Sequence, residues 1–87
     1  MNILAEHQGH IAERFARPGS DDKFAGLDPR AGRTGVPVLS GVLASVECRV
    51  AEVVSGGTHR VFLAEAVHAE ATEGSPLAYF RGKFGKF

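Results

Sequence analysis

VLASVECRVAEVVSGGTHRVFLAEAVHA, residues 42–69, decides the fold. Apolar residues take every second place in its first half. Val42, Ala44, Val46, Cys48 and Val50, with Val54 beyond, fall on one face, and Ser45, Glu47 and Arg49 on the other. Successive side chains of a strand point to opposite faces, so this period reads as a half-buried strand over about 42–54, with Cys48 in the core. Ser55-Gly56-Gly57-Thr58 interrupts the run with residues that join antiparallel strands. The chain returns over about 59–69, with Val61, Leu63 and Val67 on one side and Phe62, Ala64 and Ala66 on the other. Apolar side chains on both faces predict a central strand.

Beyond it, Thr72-Glu73-Gly74-Ser75-Pro76 is a second turn, and about 77–84 reads as a third strand. Upstream, Leu4, Ile11 and Phe15 lie seven and four apart, which stacks them on one stripe of a helix over about 3–17. Asn2 is its expected N-cap, and Pro18-Gly19 stops it. Residues 18–35 carry four glycines and two prolines and read as a connector. One helical turn is expected there around 21–25, capped by Ser20. The sum is a mainly β fold with one N-terminal helix and a three-stranded antiparallel meander. Its open edges suggest half of a larger β-barrel.

Composition bounds the function. The chain has 87 residues, 10 Lys plus Arg against 10 Asp plus Glu, and a net charge of zero. That is one domain at most. Leu, Ile, Val and Phe make 23 of the 87, more than disordered chains carry. Zero net charge removes the electrostatic reason to expect nucleic acid or anionic lipid as a partner. One cysteine, Cys48, allows neither an internal disulfide nor a cysteine-based zinc site. The longest apolar stretch, 36–46, is broken by Pro37, Ser40, Gly41 and Ser45 and is too short to cross a bilayer. Residues 1–8 lack the basic and apolar regions of a secretory signal. A cytoplasmic protein is expected.

Few chemical motifs stand out. His7 and His10 share a helical face at metal-ligand spacing, but two ligands fit a solvated polar face better, and no metal is expected. No G-x-S-x-G elbow, G-x-G-x-x-G or P-loop is present. The run Arg81-Gly82-Lys83-Phe84-Gly85-Lys86-Phe87 interleaves bases and aromatics. It suits an edge strand guarded by charge, or a surface that stacks a flat ring and holds a phosphate. His59 opens a strand directly after a glycine turn, at a rim where ligands sit.

Six stretches in order carry a resemblance: NILAEHQ (2–8), RFA (14–16), DKFAGL (22–27), GVPVLSGVLASVECRV (35–50), GGTHRVFLAEAV (56–67) and SPLAYFRGKFG (75–85). Together they resemble the flavin reductase-like proteins with an FMN-binding split β-barrel, and among them the reductase component of two-component monooxygenases. The pattern is an Asn-x-Leu helix, G-x-P-x-L-x-G, a Glu-Cys strand, Gly-Asp-His and Pro-Leu-x-Tyr, matched in order and spacing. The resemblance implies a six-stranded antiparallel barrel, a homodimer, and hydride transfer from NADH or NADPH to FMN or FAD. A flavin-dependent oxygenase would then receive the reduced flavin.

Residue by residue, the resemblance places His59 as the catalytic histidine near the nicotinamide. It gives flavin contacts to Asn2, Gln8, Phe15, Ala16 and Arg17, and to Tyr79, Arg81 and Phe84 on the last strand. Thr58 stands where the family usually has Asp, Ala64 where a strand Gly is common, and Phe84 where Tyr is common. The family's N-terminal half, with its Ser/Thr-rich segment followed by Asp-Pro-Pro, has no counterpart here. The chain is therefore expected to be the C-terminal half of that domain. The competing expectation is a flavin-binding or dimerising β-module with no turnover of its own.

Overall fold

The computed structural model describes residues 1–19 and 22–86. In chain order the elements are β1 (Asn2–Ile3), α1 (Gly9–Ala16), β2 (Arg30–Ala31), β3 (Pro37–Val38), β4 (Ala44–Gly56), β5 (His59–Ala71), β6 (Ala78–Phe80) and β7 (Lys83–Gly85). The hairpin β4–β5 dominates. Its register runs from Ala44 opposite Ala71 at the base to Gly56 opposite His59 at the tip, with irregularities at Glu47/Cys48 and Val50/Glu52. Gly57 closes the tip at φ +65. A two-residue hairpin turn needs positive φ at its first central position, which glycine takes without strain. The strands extend two residues further at the Gly56 and Ala71 ends than the alternation predicted.

Four expectations are corrected. The third strand does not extend the main sheet, whose order is β1-β4-β5. Residues 78–85 instead fold back on themselves as β6–β7, turning through Arg81 (φ 52) and Gly82 (φ 77). The sheet's other neighbour is β1, with Asn2 opposite Ser45. The strand β5 consequently lies at an edge of this sheet among the described residues. The helix begins at Gly9, not near residue 3. Asn2 does not cap it; its Oδ1 accepts the Leu39 N–H at 3.1 Å. Residues 5–8 form a turn in which the Gln8 N–H reaches the Ala5 carbonyl at 2.9 Å. Ser20 and Asp21, expected to open a helical turn, lie outside the described residues. The adjoining chain turns through Asp22, whose Oδ1 accepts the Phe24 N–H.

Burial inverts the expected faces of β4. Ser45 and Glu47 are buried, while Cys48 and Val50 are exposed. The cause is the segment 30–38, whose short hairpin β2–β3 folds over the Ser45–Glu47 face. The buried apolar core is small: Ile11, Val38 and Leu39. The outer part of the hairpin leaves Val50, Val53, Val54, Val61, Phe62 and Leu63 open to solvent. Burying one such side chain is worth about 1.5–3 kcal/mol, so covering this surface would be strongly favourable. No helix among the described residues is long and apolar enough to cross a membrane.

Candidate functional site

The helix α1 is short, and its position comes from contacts at both ends. At its start, Gln8 is 3% exposed. Its side-chain Oε1 accepts the Ala5 N–H at 2.9 Å, and its Nε2 donates to the Ser40 carbonyl at 2.9 Å. A buried amide must satisfy both ends, so this residue locks the N-terminal turn to the Ser40–Gly41 turn. Gly9 faces Leu77 and Phe84, each 3.9 Å from where a Cβ would stand. At the far end, Phe15 meets Phe24 edge to face with centroids 5.1 Å apart.

Between these contacts lies a cleft of about 270 Å³, lined by Asn2, Leu4, Ile11, Ala12, Phe15, Phe24 and Leu39. Its walls are apolar, with Asn2 as the one polar member. Beside it, the end of α1 and the following turn gather cations. The Arg14 guanidinium donates to the Ala25 carbonyl and the Lys23 ammonium to the Arg17 carbonyl. Arg17 lines the same surface recess with them. Ala16 is exposed at the end of the helix.

The β6–β7 hairpin packs against the start of α1 through Phe84. Tyr79 lies 4.8 Å from Phe84, centroid to centroid, and the Arg81 guanidinium sits 5.2 Å from the centre of the Phe80 ring. Exposed aromatic faces with a cation alongside can stack a flat heterocycle and attract a phosphate. The Lys86–Glu6 ion pair, at 3.9 Å, ties this hairpin to the N-terminal turn.

The structure thus gathers Asn2, Gln8, Phe15, Ala16, Arg17, Tyr79 and Phe84 around one helix, with Arg81 at the turn of the adjoining hairpin. His59 is elsewhere. It is exposed at the tip of the long hairpin, opposite Gly56, whereas Asn2 is paired with Ser45. Eleven strand steps separate those two rungs, roughly 35 Å of chain path.

A residue that the sequence reading assigned to a solvent face is buried. Glu47 is 3% exposed. Its Oε1 accepts the Thr34 N–H and the Thr34 hydroxyl, both at 2.8 Å, and its Oε2 accepts the Arg33 N–H at 3.2 Å. The Thr34 amide, and then its hydroxyl, hold the carboxyl below its ordinary value of 4.5; burial opposes this, and the Arg33 amide and His68 add to it. Glu70 is likewise lowered, by the His68 hydrogen bond first and then by Arg30. The signal in the sequence was a lone acid between Val46 and Cys48, with nothing local to mark it as enclosed.

Residues 1–87 match the family described as flavin reductase like domain. The reductase component of 4-nitrophenol 4-monooxygenase/4-nitrocatechol 2-monooxygenase from Rhodococcus opacus is 48% identical over 87 residues, covering 100% of this chain and 46% of that protein. Nitrilotriacetate monooxygenase component B from Mycobacterium thermoresistibile superposes with a TM-score of 0.87 at 35% identity, over 99% of this chain and 49% of the other. The NADH:FAD oxidoreductase SgcE6 of Streptomyces globisporus, solved with NAD and FAD fragments, gives 0.88 at 30% identity, over 99% and 53%. The chain spans about half the length of these relatives.

Proposed function

The chain belongs to the flavin reductase-like domain family, and from that premise we propose that the protein carrying it is an NAD(P)H:flavin oxidoreductase. It passes hydride from NADH or NADPH to FMN or FAD and supplies the reduced flavin to a partner monooxygenase in the cytoplasm. The observation that carries this reading is the match along the whole chain to relatives named as reductase components. The residues present suit a flavin. Phe15, Tyr79 and Phe84 offer partly exposed rings for stacking, and Arg17 and Arg81 offer charge for a phosphate. A bound flavin supplies the redox chemistry by accepting the hydride. Phe15, Ala16 and Arg17 line its seat, while Asn2 and Gln8 hold the walls. The exposed imidazole of His59 orients the nicotinamide or steadies charge on the reduced ring.

The 87 residues correspond in this reading to the C-terminal half of the family's domain. A second copy covers the apolar outer hairpin, and Phe62→Lys, on that face, is expected to shift the sedimentation of the protein toward the monomer. An unchanged sedimentation profile would remove the dimer from the proposal.

One observation favours a second reading, a flavin-binding module without turnover: His59 lies far along the hairpin from the α1 cleft. Titrating FMN and FAD, each with the purified chain and with the protein that carries it, and following flavin fluorescence addresses both. Saturable, stoichiometric quenching is expected for a seat built around α1. Quenching without NADH oxidation favours the module; no quenching by the protein that carries the chain defeats both readings.

A further inference from the structure

Glu47 stands at the centre of a polar cluster that fastens one hairpin to another. From the β2–β3 turn, the Arg33 and Thr34 amides and the Thr34 hydroxyl donate to its carboxylate. From β5, His68 is its cross-strand partner. The His68 Nε2 also lies 3.2 Å from Glu70 Oε1, and Glu70 Oε2 pairs with Arg30, which opens the same β2–β3 hairpin. The small hairpin is thus clipped to the main sheet at two carboxylates, Glu47 at its turn and Glu70 at its root.

The clip at Glu47 is tight. The turn closes through the Gly32 N–H to the Val36 carbonyl at 2.8 Å and the Gly35 N–H to the Gly32 carbonyl at 3.0 Å. A Cβ on Gly32 would stand 2.5 Å from Glu47 Oε1 and 2.7 Å from Oε2. Only glycine leaves room for the carboxylate there. The chain leaving this turn runs through Val38 to Leu39 and Ser40, which Asn2 and Gln8 then hold. Leu39 is a wall of the α1 cleft.

We propose that Glu47 is a positioning residue whose carboxylate seats the Gly32–Gly35 turn and thereby fixes Leu39, a wall of the cleft, in a seat that acid releases. An ionised carboxylate accepts all three donors. A protonated one has a donor of its own and weaker acceptors, so the turn loosens. The sign follows from the lowered carboxyl: the seat is fully formed above the ordinary Glu value and is lost as pH falls through the folded value below 4.5. Glu70 titrates in the same direction and contributes at the root of the hairpin.

The test follows the Arg33 and Thr34 amides of the chain by NMR shift and hydrogen exchange across pH. Both amides are expected to titrate together with a midpoint below 4.5, losing on the order of tenfold in protection on the acid side. Glu47→Gln should flatten that titration. Thr34→Val, which keeps the amide but removes the hydroxyl, should move the midpoint upward. At neutral pH Gly32→Ala should mimic acid, and in a Glu47→Ala background it should add nothing. A titration that persists in Glu47→Gln, or one centred where histidine titrates, would overturn the assignment.

The link to the cleft rests on the flavin reductase reading, and the amide measurement does not, so the two fail separately. In the protein carrying the chain, Glu47→Gln should raise KM for flavin with little change in kcat. An unchanged flavin KM beside a flattened amide titration would break the link to the cleft.

Discussion

His59→Ala is expected to slow NADH-dependent flavin reduction about 100-fold, the scale of losing one polar group that stabilises developing charge, while flavin affinity stays nearly intact. The asymmetry follows from placement. The residues gathered around α1 form the proposed flavin seat, and His59 is not among them. It sits exposed at the hairpin tip, free to meet a ligand presented by another surface. What the substitution removes is a hydrogen-bonding imidazole at the proposed nicotinamide position. Stopped-flow reduction at saturating NADH, beside a flavin titration of the same variant, separates the effects. Unchanged turnover would take the assigned role from His59. A loss that falls mainly on flavin affinity would move His59 into the flavin seat.

Leu39→Ala is expected to destabilise the fold by about 2–5 kcal/mol, the range for buried leucines. Small domains hold only about 5–15 kcal/mol in total. The core has few members to absorb the loss: Leu39 is 6% exposed, beside Ile11 and Val38. Its backbone is also pinned by Asn2, so neighbouring chain cannot easily collapse into the gap. Denaturant unfolding of the chain measures this. Phe62→Ala is the control. Phe62 is the larger side chain but 61% exposed within one copy, so at concentrations where the chain is monomeric its substitution should change stability by about 0.5 kcal/mol or less. Equal losses for the two in the monomer would mean that the core of one copy extends beyond Ile11, Val38 and Leu39.

The long hairpin was legible because it is local. Alternation from Val42 onward and the glycines at 56 and 57 state both strands and the turn between them within one stretch of chain. The same rule misjudged the faces. Alternation says that two faces differ, but Ser45 and Glu47 are buried by a turn some 13 residues upstream, and nothing near them records it. Asn2 looked like a helix cap because Asn caps helices. Here its acceptor serves Leu39, 37 residues away. The last strand failed on a signal that was present. Arg81-Gly82 between Tyr79-Phe80 and Lys83-Phe84 marks a tight turn, and its basic-aromatic content drew the reading toward an unbroken edge strand. The proposed flavin contacts came from family resemblance, and the fold gathers most of those residues around α1. The separation of His59 from them was invisible in the sequence because it depends on how far the hairpin projects.

The most direct measurement of the account is anaerobic reduction of FMN and FAD by NADH and NADPH in the presence of the protein that carries this chain. Flavin absorbance should bleach at a rate that saturates in flavin and nicotinamide and exceeds the reaction without protein. Bleaching no faster than in the protein-free mixture, with every flavin and nicotinamide pair, would contradict the oxidoreductase assignment.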